Sequence, residues 1–163
     1  MARGLPSGVS QPGRGFPTIS APAQSADDVR GAAIYAGKCN ACQGSDGAGR
    51  VVASQVYLPL WRAKSFNRGV GMATIDKATA FIHANMPPIR EGSLAVQPAW
   101  HVATYIDGKV RPQDPRYAGS PWATRQRYHD SPFSRYGMVV AGHRLGDNRM
   151  LLDRRVAVIS GRA

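Results

Sequence analysis

Residues 31–49 read GAAIYAGKCNACQGSDGAG, and the five residues at their centre, Cys39-Asn40-Ala41-Cys42-Gln43, govern how the rest of the chain is read. They hold the only two cysteines of the sequence. Two residues separate the thiols, so at the end of a helix they lie on one face, one turn apart. Thiols so placed can form thioethers to the two vinyl groups along one edge of a haem. The residue after the second cysteine then points at the iron, and a histidine normally stands there. Here it is Gln43, whose side chain offers only an amide carbonyl, a hard and weakly basic oxygen in place of imidazole. The proximal iron ligand therefore reads as missing.

The same spacing has other readings. A thioredoxin-like redox pair needs a strand before it and an alternating αβ pattern after it, and neither is visible. A structural zinc site needs four ligands, and His83, His101, His129 and His143 show no zinc-type spacing to the cysteines. From the motif alone, haem attachment, a disulfide, a redox pair and inert thiols all remain open.

Outward from the motif, Asp28–Cys39 is expected to be a helix, with acids in its first turn and Gly31 and Tyr35 on one face. Gly44, Gly47 and Gly49 then break any regular element, and Val51–Gly71 reads as loop anchored by Pro59, Leu60 and Trp61. A second helix is expected over Asp76–Asn85, apolar at Ala78, Phe81 and Ile82 and ended by Pro87-Pro88. A third runs from about Pro98 to Asp107, with Val102, Tyr105 and Ile106 at i, i+3, i+4 and Gly108 as its stop. No strand is expected, and no continuous helix after Pro112.

At 163 residues, 43% of them apolar, the chain has material for one modest core. Residues 1–26 contain no acids and no periodic apolar face and read as a disordered leader. They lack the apolar run of a secretory signal, and no stretch has the length of a membrane span. Residues 27–110 carry nine Lys/Arg against six Asp/Glu, whereas residues 111–163 carry ten Arg against four Asp. That basic excess is expected to be a solvated, irregular extension. Nucleic-acid binding is its alternative, without a recognition motif to support it.

Longer runs carry a resemblance. Residues 31–49 look like the opening of a class I cytochrome c: helix, haem motif, glycine-rich loop. YLPLWRAKSFNRG at 57–69, Gly71-Met72, AFIHANMP at 80–87, AWHVATYIDGKVRPQDPR at 99–116 and DSPFSRYG at 130–137 resemble the second haem domain of the thiosulfate dehydrogenase family. The resemblance covers residues 27–137 and implies an all-α class I cytochrome c fold over 27–110. In that fold the first and last helices cross, with Gly31 and Tyr35 against Tyr105. It implies one covalent haem c on Cys39 and Cys42, with Gln43 at the position of the lost proximal ligand. Met86 matches the distal iron ligand, and Pro59 matches the proline of the proximal loop, here with no histidine to orient. His83 is expected to be exposed, and His101 to belong to the helix crossing or its rim.

Other features depart from the family. Its members carry two haem domains and an export signal, whereas this sequence shows one domain and no signal. Residues 138–163 match nothing in the family pattern, and a shifted reading frame is one reading of them. The expected function is haem c-dependent electron transfer in periplasmic sulfur-compound oxidation, with protein redox partners. The alternative is a haem-free, cytochrome-fold remnant of a diheme thiosulfate dehydrogenase. A third reading, an open haem site with peroxidase-like activity, makes the domain an enzyme rather than a carrier.

Overall fold

Asp27 starts the first helix by accepting hydrogen bonds on its carboxylate from the N–H groups of Val29 (2.8 Å) and Arg30 (3.0 Å), which would otherwise be orphaned at the helix end. In the computed structural model, which describes residues 17–88 and 90–147, this helix is α1 (Asp28–Lys38). A single further turn, α2 (Asn40–Gln43), follows directly from Cys39. Two more helices complete the core: α3 (Ile75–Asn85), preceded by a 3-10 turn at Gly71–Ala73, and α4 (Val96–Asp107). The three principal helices lie where the apolar periodicity put them, each within two residues at either end.

α1 crosses α4 at Gly31. A Cβ on Gly31 would lie 2.1 Å from the His101 carbonyl oxygen and 2.7 Å from the Cβ of Tyr105, so only glycine allows this approach. One turn on, Tyr35 packs its ring against Trp61 (centroids 5.1 Å apart) and Tyr105 (5.5 Å). α3 packs on the other side of α4, and Ala78 and Ile82 meet Ala99, Val102 and Ala103 in one continuous core. Burying these side chains contributes on the order of 1.5–3 kcal/mol for each large one. His101 lies within the crossing, 4% exposed, and its Nδ1 accepts from the Asp27 N–H (3.0 Å).

Three expectations about elements and exposure are corrected. Four short strands exist among the described residues: β1 (Arg50–Val52) pairs antiparallel with β2 (Gln55–Tyr57), and β3 (Val139–Val140) with β4 (His143–Arg144). At two or three residues each, they are too short to show a period of two in the sequence. A helix also follows Pro112: α5 (Pro121–Tyr128), capped by the Ser120 hydroxyl, with Pro121 at its first position. His83, expected on the surface, is half-buried, with Nδ1 2.7 Å from the Leu94 carbonyl oxygen.

The described part of the basic extension is not a solvated tail. Arg111 is 1% exposed and salt-bridged to Asp107 at 2.8 Å. Arg135 clasps Asp28 of α1 at 2.6 and 2.9 Å, and Arg125 donates to the carbonyls of Ser134 and Tyr136. Tyr136 and Leu145 are each 1% exposed. Residues 148–163 of the extension and 1–16 of the leader lie outside the described residues. The rest of the leader touches the body: Ala26 packs on the core, and Gln97 donates to the Gln24 carbonyl at 3.3 Å. No helix among the described residues is long and apolar enough to cross a membrane.

Candidate functional site

The turn between α1 and α2 is fixed by its own backbone. The N–H groups of Cys42 (3.2 Å) and Gln43 (2.9 Å) both donate to the Cys39 carbonyl, and Gly49 N–H donates to the Gln43 carbonyl (2.9 Å). From the core side, the Tyr35 hydroxyl donates to the Gly44 carbonyl at 2.7 Å. The three side chains that this turn presents, Cys39, Cys42 and Gln43, line one cavity together with Met86, the residue that caps the C-terminal end of α3. Residues far apart in sequence thus meet at one place.

The cavity encloses about 800 Å³ counting its open mouth. Its walls are mostly apolar, with Phe66, Met72, Phe81, Ile82, Leu94 and Val102 among them. Such a volume and lining suit a large apolar group rather than a small polar substrate. The cationic side chains that line it are Lys38 and Arg111. Arg111 is locked in place: its Nε donates to the Leu60 carbonyl (2.9 Å), and its guanidinium lies 4.3 Å from the centre of the Phe66 ring.

Burial pushes the Cys39 thiol up to about 11, with neighbouring Cys42 adding to the effect. Cys39 is therefore a protonated thiol at neutral pH, unlike the low-pKa cysteine of a redox-active pair. Tyr57 also lines the cavity, and its hydroxyl is raised first by a hydrogen bond with Cys42. Both cysteines are free thiols. Among the described residues, no group of three or more His, Cys, Asp or Glu side chains could hold a metal ion.

Gln43 carries the site's unresolved polarity. Its Oε1 is buried and has no hydrogen-bond partner. Leaving such a group unmet costs about 1–3 kcal/mol.

Pro59 does not line the cavity; the adjacent Leu60 does, and the Leu60 N–H donates to the Gly47 carbonyl at 2.8 Å. Pro59 instead lies against Gly49, where a Cβ would come within 3.0 Å of the Pro59 nitrogen. Sequence reasoning missed Tyr57, Phe66 and Arg111 as cavity residues. Arg111 stands four residues after Asp107, a visible ion-pair spacing that the stop at Gly108 concealed. Tyr57 and Phe66 carry no local signal.

The fold is a known one. The solved thiosulfate dehydrogenase TsdBA from Marichromatium purpuratum, in its "as isolated" form, superposes with a TM-score of 0.75 at 46% sequence identity, covering 83% of this chain and 29% of that one. The fold is the class I cytochrome c fold. In sequence, the chain is 47% identical over 148 residues to the thiosulfate dehydrogenase of Thiomonas intermedia (strain K12), covering 90% of this chain and 47% of the relative. It is 42% identical over 149 residues to that of Stutzerimonas stutzeri (strain A1501), covering 90% of this chain and 48% of the relative. The chain spans about half the length of these relatives. No family model matches it. Residues 138–163 are a longer segment than the tenth of the chain left uncovered, so part of them lies inside the match, contrary to the expectation that they resemble nothing.

Proposed function

We propose that this domain holds one covalent haem c and carries single electrons in the oxidation of sulfur compounds. The observation that carries this reading is that Cys39, Cys42 and Met86 share one apolar cavity, in a chain similar to thiosulfate dehydrogenases. The residues fit the group. The two thiols stand one turn apart at the cavity edge, and the walls are apolar enough to take a macrocycle.

Bound haem c supplies a one-electron couple whose potential the protein sets through its ligands and surroundings. Cys39 and Cys42 would hold it through their thiols, which can form thioethers to its two vinyl groups. Met86 would supply a thioether ligand to the iron, which would raise the potential. Phe66, Phe81, Ile82 and Leu94 exclude water, and the fixed guanidinium of Arg111 supplies a positive charge at the cavity. Electron transfer asks for no acid or base, only a buried centre with an exposed edge.

In this reading the domain works outside the bacterial cytoplasm, where haem is attached to c-type cytochromes, and passes electrons between protein redox partners. Oxidation of the sulfur compound itself belongs to a catalytic partner haem.

Gln43 favours one second reading: a cytochrome fold that no longer takes up haem. A pyridine haemochrome assay on protein exported beside an intact maturation system separates the two. One covalent haem per chain supports the carrier, and none sinks it.

A further inference from the structure

Gln43 occupies a defined place. Its N–H is tied to the Cys39 carbonyl and its own carbonyl to the Gly49 N–H, both at 2.9 Å, so the side chain leaves a backbone fixed from two directions. It lines the same cavity as both cysteines and Met86. Its Oε1 is buried without a partner. Among the described residues, four other buried side-chain polar atoms also lack a partner, on Arg68, Asp76, Thr104 and Asp107, and none of those residues lines the cavity.

An amide oxygen has two lone pairs that water would satisfy. Withdrawn from water and given no donor, it is held at a cost unless something electron-poor meets it. Phe66, Met72, Ile82 and Leu94, on the cavity walls, have no N–H or O–H on their side chains to offer, and the donors that also line it, the Tyr57 hydroxyl and the Lys38 and Arg111 cations among them, make no hydrogen bond to Oε1.

We propose that Gln43 is itself an axial ligand: its Oε1 donates a lone pair to the haem iron from the proximal side, across the ring from the Met86 thioether. The proposal rests on the haem-carrier reading. The bond is dative: no proton leaves, and no electron is transferred. A hard carbonyl oxygen favours the ferric over the ferrous ion and is a weaker donor than imidazole. The ferric domain is then high-spin, whereas a histidine at this position gives a low-spin centre.

The test uses the full chain, exported by an added secretion signal beside the maturation machinery, together with Gln43→His, Gln43→Leu and Gln43→Asn. Asn keeps the amide but shortens its reach by one methylene, and so serves where the apolar replacement fails to fold. Intact mass and the pyridine haemochrome count the covalent haem. Ferric absorption, electron paramagnetic resonance and titration with imidazole then read the ligand.

The expected result is one haem per chain, a high-spin ferric signal in the parent and a low-spin one in Gln43→His. Imidazole should bind Gln43→Leu and Gln43→Asn about tenfold more tightly than the parent, because in the parent it must displace Oε1. If haem is present and the parent, Gln43→Leu and Gln43→Asn share one ferric spectrum and one imidazole affinity, the ligand assignment is overturned while the carrier reading stands. If the parent carries no covalent haem, both fall.

Discussion

Gly31 lies directly against Tyr105 where α1 crosses α4, so closely that a Cβ on Gly31 would stand 2.7 Å from the Tyr105 Cβ and 2.1 Å from the backbone oxygen of His101. Backbone cannot yield as a side-chain tip can. Gly31→Ala is therefore expected to separate the helices and destabilise the fold by about 1–3 kcal/mol. Urea denaturation followed by circular dichroism measures this, and an unchanged midpoint would refute the close crossing.

Asp107 and Arg111 form a salt bridge with side chains 1% and 0% exposed, and Arg68, 2% exposed, donates to the Asp107 and Lys109 carbonyls beside them. Removing Asp107 would leave two buried guanidinium groups facing each other. Asp107→Ala is expected to cost about 3–5 kcal/mol, and an apolar replacement of both Asp107 and Arg111 distinctly less. Equal losses from the single and double replacements, in the same denaturation assay, would contradict this account.

Acid should loosen the fold in two stages around Asp114. Burial lowers His129 below its ordinary 6.5, outweighing the Asp114 carboxylate 2.8 Å away. The unfolded chain then takes up a proton that the folded side chain resists, so stability falls as pH drops below about 6.5. Hydrogen bonding from Arg116 holds Asp114 at about 2 against its ordinary 3.8, so its contribution is present above 3.8 and lost as pH falls through about 2. Denaturation midpoints from pH 8 to pH 2 should show both declines, and His129→Gln should remove the first. A first decline that persists in His129→Gln would exclude this residue as its source.

In haem-free protein made in the cytoplasm, Cys39 should be a poor nucleophile. Its thiol is raised to about 11, chiefly by burial, and only the thiolate reacts with iodoacetamide. In a Cys42→Ser background, the labelling rate of Cys39 is expected to keep climbing to about pH 11. A plateau near pH 8.5, the range of a free cysteine, would contradict the buried thiol.

In haem-loaded protein, Met86→Ala should lower the reduction potential, because a thioether ligand stabilises the ferrous state. Spectroelectrochemical titration decides this, and an unmoved potential would remove Met86 from the iron.

The parts of the molecule that were legible in the sequence are those with repeated signals. α1, α3 and α4 each combine an apolar stripe with a stop, whereas the pairing of Gly31 and Tyr35 with Tyr105 needed the family resemblance. α5 was not legible because it has almost no stripe: Thr124 is its one buried residue, although Ser120-Pro121 signalled its start. Arg111 and Arg135 read as solvated charge: the i,i+4 spacing of Asp107 and Arg111 was hidden by the stop at Gly108, and nothing local announces that Asp28 waits for Arg135. In the site, spacing alone picked out the cysteines, whereas Met86 needed the family resemblance. The orphaned oxygen of Gln43 is visible only once the cavity closes around it.

The clasp between Arg135 and Asp28 joins the last described stretch of the chain to its first helix, across 107 positions of sequence. α1 and the segment around Arg135 are therefore expected not to open independently. Amide protons in α1 and in the segment around Tyr136 are expected to exchange with solvent together, in one opening event. A cut between α4 and Arg135 is therefore expected to weaken the anchoring of α1, at the far end of the described sequence.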